Sequence, residues 1–422
     1  MGTLWVISAF VSVLLLTPAA AVSAKTIHVD DDAQPGGNGS GKAPFASIAE
    51  AVAAANPQGG DTVKVAPGLY EISESVRIET PLILRGSNEM LSDENGWPTG
   101  EMAPGTETRL VAAAALGPAP ILAVGRSDFT NLSGAIVSGL TIEGGDNSVE
   151  VVRTQGFTVK DCKITKSGFI GIFMALSSGR VSGNYLTETR AAGIIASAGN
   201  ADSPAYVEVV GNRSVRNGNG GFLANGSGTD VPEFAEDLTV VVRDNDFSEN
   251  TASPLNSFGI RIFVLRRDLG DPIDTQDSGN VNALIQGNRL FGNRIGISID
   301  GGFPYRRVGT LCDSRVYTGN FNITLKGNEI SESVLTPALI AFTRNTAALN
   351  QGMLGSWQYL HGATYIIEDP DETLAGYWLD HPEHDPFPLT GSGPCPADAT
   401  NEALGNTLIY NGVEIGYGRT VP

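Results

Sequence analysis

The chain is poor in positive charge. Its 422 residues hold 27 Lys and Arg against 46 Asp and Glu, a net charge of −19. Phosphate binding needs a basic face, so nucleic acid is excluded as a partner; the acidity suits solubility outside the cell. Aromatic residues make up only 7%, whereas glycine reaches 52 residues, a balance that fits many tight turns. Cysteine is scarce, at three residues. Beyond residue 24 there is no apolar run long enough for a membrane helix. No Gly-x-Ser-x-Gly, phosphate-loop or dinucleotide signature stands in a fitting context, which removes those hydrolase and nucleotide-binding classes.

Residues 1–24 read as a secretory signal: Leu4 to Leu16 is the apolar run, and Val22-Ser23-Ala24 is a small-x-small cleavage site before Lys25. The first residues carry no Lys or Arg, and an uncleaved anchor is the alternative. The run is short for a membrane span. The expectation is a secreted or periplasmic monomer with no membrane span after signal removal.

What the chain has is repetition. A two-residue step recurs at Asp161-Cys162, Gly183-Asn184, Gly211-Asn212, Asp244-Asn245, Gly287-Asn288 and Gly327-Asn328. An opener follows at Gly171-Ile172, Gly193-Ile194, Gly221-Phe222, Gly259-Ile260 and Gly296-Ile297, with a blurred sixth copy at Pro337 to Ile340. From step to opener the offset is nine residues in three copies, then fourteen, then eight. The steps are separated by 22, 28, 33, 43 and 40 residues. A conserved internal offset with variable length marks a solenoid whose insertions are loops on one side. Three short alternating strands per coil describe a parallel β-helix. Stacked at about 4.8 Å, side-chain amides of the repeated Asn donate and accept along the stack as an Asn ladder. Cys162 takes the same slot and is expected to be a buried thiol.

In these repeats the chain resembles the right-handed parallel β-helix, pectin-lyase-like superfamily. The start of the mature chain resembles its secreted members too, through Ile27-His28-Val29-Asp30, Gly41-Lys42-Ala43-Pro44-Phe45 and Asp61 to Tyr70. The resemblance covers roughly residues 25–345 and implies an all-β solenoid. It is weak for reaction, because the fold hosts lyases, epimerases, hydrolases and non-catalytic proteins.

Four segments follow from this reading: the signal at 1–24, an N-terminal cap and first coils at 25–108, the coils proper at 109–345, and a C-terminal cap and tail at 346–422. Ser47-Ile48-Ala49-Glu50 is a capping box opening a helix with Ile48, Val52 and Ala55 on one face. That helix is expected to plug the open end of the stack. Thr62 to Val65 and Val76 to Leu84 are the first coil strands, and Met90 to Thr108 is an irregular insertion carrying Trp97. Alternation sends Ile172, Ile194, Phe222, Ile260 and Ile297 inward, and Phe173, Ile195, Leu223, Arg261 and Ser298 outward as one row. The loops after this strand lengthen coil by coil and should wall a groove beside the outward rows.

Residues 261–315 differ in charge from the rest. They hold eight arginines against six aspartates, +2 locally. Arginine forks bind carboxylates in bidentate fashion, and tyrosines stack on sugars or shuttle protons. β-Elimination of a uronate needs its carboxylate neutralised, by Arg or Ca²⁺, and a base for the C5 proton. The candidate catalytic residues are Arg261, Tyr305, Arg307 and Asp300; Arg266, Arg267, Arg306, Arg315, Tyr317 and Arg344 are the candidate substrate contacts. The expected partner is an anionic polysaccharide and the activity a polysaccharide lyase or epimerase. The alternatives are a non-catalytic surface-binding protein and a glycoside hydrolase using Asp268, Asp271, Asp274 or Asp300. The polygalacturonase, pectin-esterase, Trp-x-Asp-His lyase and Asp-Pro-His epimerase motifs are absent.

Of the three cysteines, Cys312 and Cys395 lie in loop sequence, and a Cys312–Cys395 disulfide would pin the tail to the long loop of the fifth coil. Asp30, Asp31, Asp32 and Asn38 offer oxygen ligands for Ca²⁺, at a spacing that matches no EF-hand loop; a solvated acidic turn is the preferred reading. His381 and His384 among Asp380, Glu383 and Asp385 read as a surface loop, and no metal site is assigned.

Overall fold

A computed structural model describes residues 24–198, 204–228, 237–252, 257–266, 281–300, 315–317, 321–333, 336–340, 343–344, 358–360, 364–368 and 407–414. Over these residues the chain is a right-handed parallel β-helix. Each coil gives one strand to each of three faces. Thr154–Lys160, Lys163–Thr165 and Ile170–Ala175 form one coil; Ser178–Ser182, Tyr185–Thr187 and Ala192–Ser197 form the next. Like faces pair in parallel into a 14-stranded sheet, a nine-stranded sheet and a six-stranded sheet. The six-stranded sheet continues through bridges Arg213↔Asp246 and Asp246↔Arg289.

The register shows what alternation does. Ile172, Ile194, Phe222, Ile260 and Ile297 pair successively and are each 0% exposed. Phe222 and Phe247 stack inside the coil, with centroids 6.2 Å apart. Burial of one such side chain per rung, about 1.5–3 kcal/mol each, is the main force stacking the coils.

The corners explain the Gly-Asn and Asp-Asn steps. The first residue of each has positive φ: 54° at Asp161, 64° at Gly183 and Gly211, 56° at Asp244, 62° at Gly287 and 54° at Gly327. Glycine enters this left-handed region freely and Asp tolerates it, which is why those residues hold the slot. The next residue turns its amide into the core. Asn184 Nδ2 donates to Asn212 Oδ1 at 2.9 Å, Asn212 to Asn245 at 3.0 Å, Asn245 to Asn288 at 2.9 Å and Asn288 to Asn328 at 2.9 Å. The same oxygens accept backbone N–H groups, starting with Cys162 N to Asn184 Oδ1 at 3.0 Å. Burial pushes the Cys162 thiol up to about 12.

A second polar stack stands five residues further on, at the next corner. Thr189 Oγ1 donates to Asn217 Oδ1, Asn217 N to Asn250 Oδ1, and Asn250 Nδ2 to Asn293 Oδ1. It too follows left-handed residues, here Lys166, Glu188, Arg216 and Glu249 as well as Gly292.

The helix forms at Ile48–Ala53, with Ser47 Oγ accepting from Glu50 N. It packs against Thr26–Val29, Thr62–Val65 and Val76–Ile78. The first and last of these are the end strands of the 14- and nine-stranded sheets. Two local readings change. The expected strand Val76 to Leu84 is two strands, Val76–Ile78 and Ile83–Arg85, because Pro81 breaks the pairing at a corner. The insertion from Met90 is an antiparallel hairpin of Met90–Ser92 and Pro98–Met102.

Candidate functional site

The outward row of the nine-stranded sheet carries the first candidate site. Leu223, Arg261 and Ser298 lie side by side in register, and Asn225, Phe263 and Asp300 form the next row. An outward row on a solenoid is normally solvated. Here Leu223 is 6% exposed, Arg261 3%, Phe263 7% and Ser298 0%. Leu223, Phe263 and Ala192, with Ile195 against them, form an apolar cluster separate from the main core, and Phe258 with Ile295 forms another. The Arg261 guanidinium sits between the two, 5.0 Å from the Phe258 ring centre and 4.5 Å from that of Phe263. Arginine stacks on aromatic faces because it is planar and weakly hydrated. Arg261 therefore faces outward as expected, but it is packed among rings instead of open to a groove.

The other expected residues divide. Arg266 pairs with Gly228 on the strand that carries Arg261, and Asp300 ends the neighbouring strand. Arg315, Tyr317 and Arg344 belong to a small separate sheet in which Arg315 and Arg344 both pair with Gln358, so the backbone brings those two arginines to either side of one residue. Arg267, Tyr305, Arg306, Arg307, Cys312 and Cys395 lie outside the described residues.

A second cluster escapes the sequence reading. The hairpin Met90–Met102 lies on the outer face of the six-stranded sheet and its continuation. Gly100 packs on the Tyr185 ring. Asp93 Oδ2 meets Arg213 Nη1 at 3.2 Å, and Trp97 Nε1 donates to Asp244 O at 3.3 Å. Arg289 lies 5.7 Å from the Trp97 ring centre. Beneath them Asp246 is fully buried. Its Oδ1 accepts from Ser248 Oγ. Its Oδ2 is 3.2 Å from Arg213 Nε and 3.7 Å from Arg289 Nη1. The Arg213 contact is too poorly aligned to be a hydrogen bond, so both atoms are buried without one. Burial raises the Asp246 carboxyl above its usual value, against the opposing pull of Ser248 and the two arginines. The signal available in the sequence was slight: one Trp in a polar insertion.

Nearby, Glu143 accepts from Lys166 Nζ at 2.8 Å and from Arg109 Nε at 3.1 Å. Lys166 first, then Arg109, hold it below its usual value. At the N-terminal end the carboxylates of Asp30, Asp31 and Asp32 lie within 4.8 Å of one another and could hold a cation. Two of them already serve the fold, Asp31 accepting from Leu69 N at 2.8 Å and Asp30 from Asp32 N at 3.1 Å.

Comparison with known proteins places this architecture. A family described as "Protein of unknown function (DUF1565)" matches residues 31–299. The chain belongs to this DUF1565 family. No curated protein matches it in sequence. Among solved structures it is similar to pectate lyase Pel9A, at 15% identity over 76% of this chain and 78% of that one, TM-score 0.33. It is similar to a rhamnogalacturonan lyase at 11% identity, over 81% and 87%, TM-score 0.35. It is similar to XylC in complex with xylose at 9% identity, over 91% and 82%, TM-score 0.38.

Proposed function

We propose that this DUF1565 protein is a secreted carbohydrate-active protein working on an acidic, uronate-containing glycan, as a lyase or epimerase. The observation that supports it most is the built-up outward face at Leu223, Arg261, Phe263 and Ser298, buried where a bare solenoid face would be wet. In this reading Arg261 is a positioning residue. Its guanidinium, fixed between two rings, organises the face from below, while Arg266, Arg267, Arg306, Arg307, Arg315 and Arg344 supply carboxylate contacts. Tyr305 or Arg307 then serves as the base. Ca²⁺ is the alternative means of neutralising the uronate. A non-catalytic binding protein is the second reading; the absence of the polygalacturonase, pectin-esterase, lyase and epimerase motifs favours it.

Secretion rests on the signal-like residues 1–24. Lys25 N lies 2.9 Å from Oδ1 of the buried Asp61. Burial works to raise the Asp61 carboxyl, yet hydrogen bonds from Lys25 and Asn56 hold it below its usual value. Cleavage before Lys25 would turn this contact into an ammonium–carboxylate pair. N-terminal sequencing of exported protein should read Lys-Thr-Ile-His; an intact Met1 would remove the proposal.

The reaction is tested with a panel of acidic polysaccharides, with and without Ca²⁺, followed by ultraviolet absorbance of unsaturated ends and by reducing ends. New absorbance on one polymer is the lyase result. Reducing ends without absorbance would move the chemistry to hydrolysis by the aspartates. Retention on a polymer with neither signal would support the binding protein.

A further inference from the structure

The 14-stranded sheet has an outward row that runs the length of the described coils, and its composition is unlike the rest of the molecule. Successive pairings carry it from His28 to Lys64 to Arg85, onward through Lys160 and Arg243 to Lys326, and finally to Glu368. The positions between the cations are Ser138, Ser182, Val210 and Gln286. With Glu368 at its C-terminal end, five of these eleven positions are Lys or Arg and one is acidic, in a chain with 27 basic and 46 acidic residues. Strands in a sheet lie about 4.8 Å apart, so Lys64 to Lys326, eight rungs, spans about 38 Å.

Lys64, Arg85, Lys160 and Lys326 are exposed and Arg243 is half-buried. Lys326 is paired in register with Glu368, and two further cations have neighbouring acids: Lys160 Nζ is 3.8 Å from Asp161 and Arg243 Nη1 is 3.3 Å from Asp244. The latter two pairs are open to solvent, and such pairs are worth little, so an incoming carboxylate can replace the acid. Among the described residues Lys64 and Arg85 have no carboxylate at ion-pair distance. The adjacent outward row contains one charged pair, Arg180 with Glu208 at 3.2 Å, and otherwise Thr, Ile, Val and Leu. The result is a straight cationic line, net +2 when Asp161, Asp244 and Glu368 are counted against the five cations, on a protein of net charge −19.

We propose that this line is a docking surface for an extended polyuronate chain, on a face distinct from the candidate catalytic one. The substrate class rests on the acidic-glycan reading above; the surface itself rests on the register. Three features select the occupant. The line is one residue wide, which suits a single extended polymer. Its cations fall one to three rungs apart, about 5–14 Å, far sparser than the charge every ~1.7 Å along duplex DNA. The cations are dispersed singly along the row, unlike the clusters of four to eight basic residues that read as sites for anionic lipid. A solenoid that holds a long polymer on one face keeps it near the other, raising its local concentration there.

The test compares full-length wild type with a row variant, Lys64→Gln, Arg85→Gln and Lys160→Gln, and an equal-charge control, Lys42→Gln, Arg126→Gln and Arg190→Gln. The probes are polygalacturonate and alginate at low salt, and circular dichroism checks the fold. The expected result is a Kd at least about tenfold weaker for the row variant, less than about twofold weaker for the control, and a difference that shrinks as salt rises. Equal losses in both variants would reduce the effect to net charge and overturn the proposal. So would unchanged binding by the row variant, or wild-type protein that binds phosphatidylserine vesicles or DNA but neither polyuronate. Turnover of short oligomers, too short to reach the row, reports the catalytic reading separately and should be equal in all three proteins.

Discussion

Asn212 shows how much one side chain holds. Its Oδ1 accepts from Asn184 N and Nδ2, and its Nδ2 donates to Val181 O and Asn245 Oδ1. Asn212→Ala strands several buried polar groups at about 1–3 kcal/mol each, so a loss of at least about 3 kcal/mol is expected in urea unfolding. Cys162 ends the run from the other side. With its thiol pushed up to about 12 it should resist thiol reagents until the chain unfolds; rapid labelling of the native protein at neutral pH would contradict its burial. Glu188 is exposed at φ 57°, a conformation that costs a side chain about 1 kcal/mol. Glu188→Gly should therefore raise the unfolding midpoint, reversing the usual effect of added glycine.

Glu143 sets a pH dependence at the same scale. Its folded value lies below the ordinary 4.5. The carboxylate then contributes stability above about pH 4.5 that is lost as the pH falls through the lower folded value. Glu143→Gln should flatten this part of the thermal-stability profile below pH 4.5; an unchanged acid limb would show that the Lys166 and Arg109 contacts contribute nothing. Asp246 acts in the opposite sense, since burial raises its value and favours the protonated fold.

At the scale of elements, the hairpin Met90–Met102 is the departure from solenoid logic. Coils in a solenoid touch only their neighbours. This hairpin joins Trp97 to Asp244 across 147 residues and Asp93 to Arg213 across 120. Trp97→Ala removes a hydrogen bond and a ring under Arg289, at about 1–3 kcal/mol. Hydrogen exchange should then quicken in residues 90–102 and at the Asp244 corner together. Quickening in the hairpin alone would mean that it does not brace the later coils. The sequence left this element unread because its strands are three and five residues long and the buried positions of the second are Pro98 and Gly100, so no apolar alternation marks it. The first polar stack was legible because one residue type, Asn, repeats after Gly or Asp. The second was not, since Ser167, Thr189, Asn217, Asn250 and Asn293 vary, and four of the five follow a charged residue and one a glycine.

At the scale of the molecule, strand alternation told inside from outside for every coil it was applied to, and the fold followed from it. Alternation says which way Arg261 faces; it does not say what covers it, and so the burial of that arginine between Phe258 and Phe263 was not foreseeable. The basic row was likewise hidden, because His28, Lys64, Arg85, Lys160, Arg243 and Lys326 become neighbours only through the register. Both outer faces now converge on one expectation, an acidic glycan as the ligand of a protein that is itself strongly acidic. The most direct measurement is native electrophoresis of the full-length protein through gels containing polygalacturonate, alginate, or a neutral glucan. Retardation by an acidic polymer at low salt, and none by the glucan, is the predicted result. Retardation by the glucan alone, or free migration through all three, would contradict it.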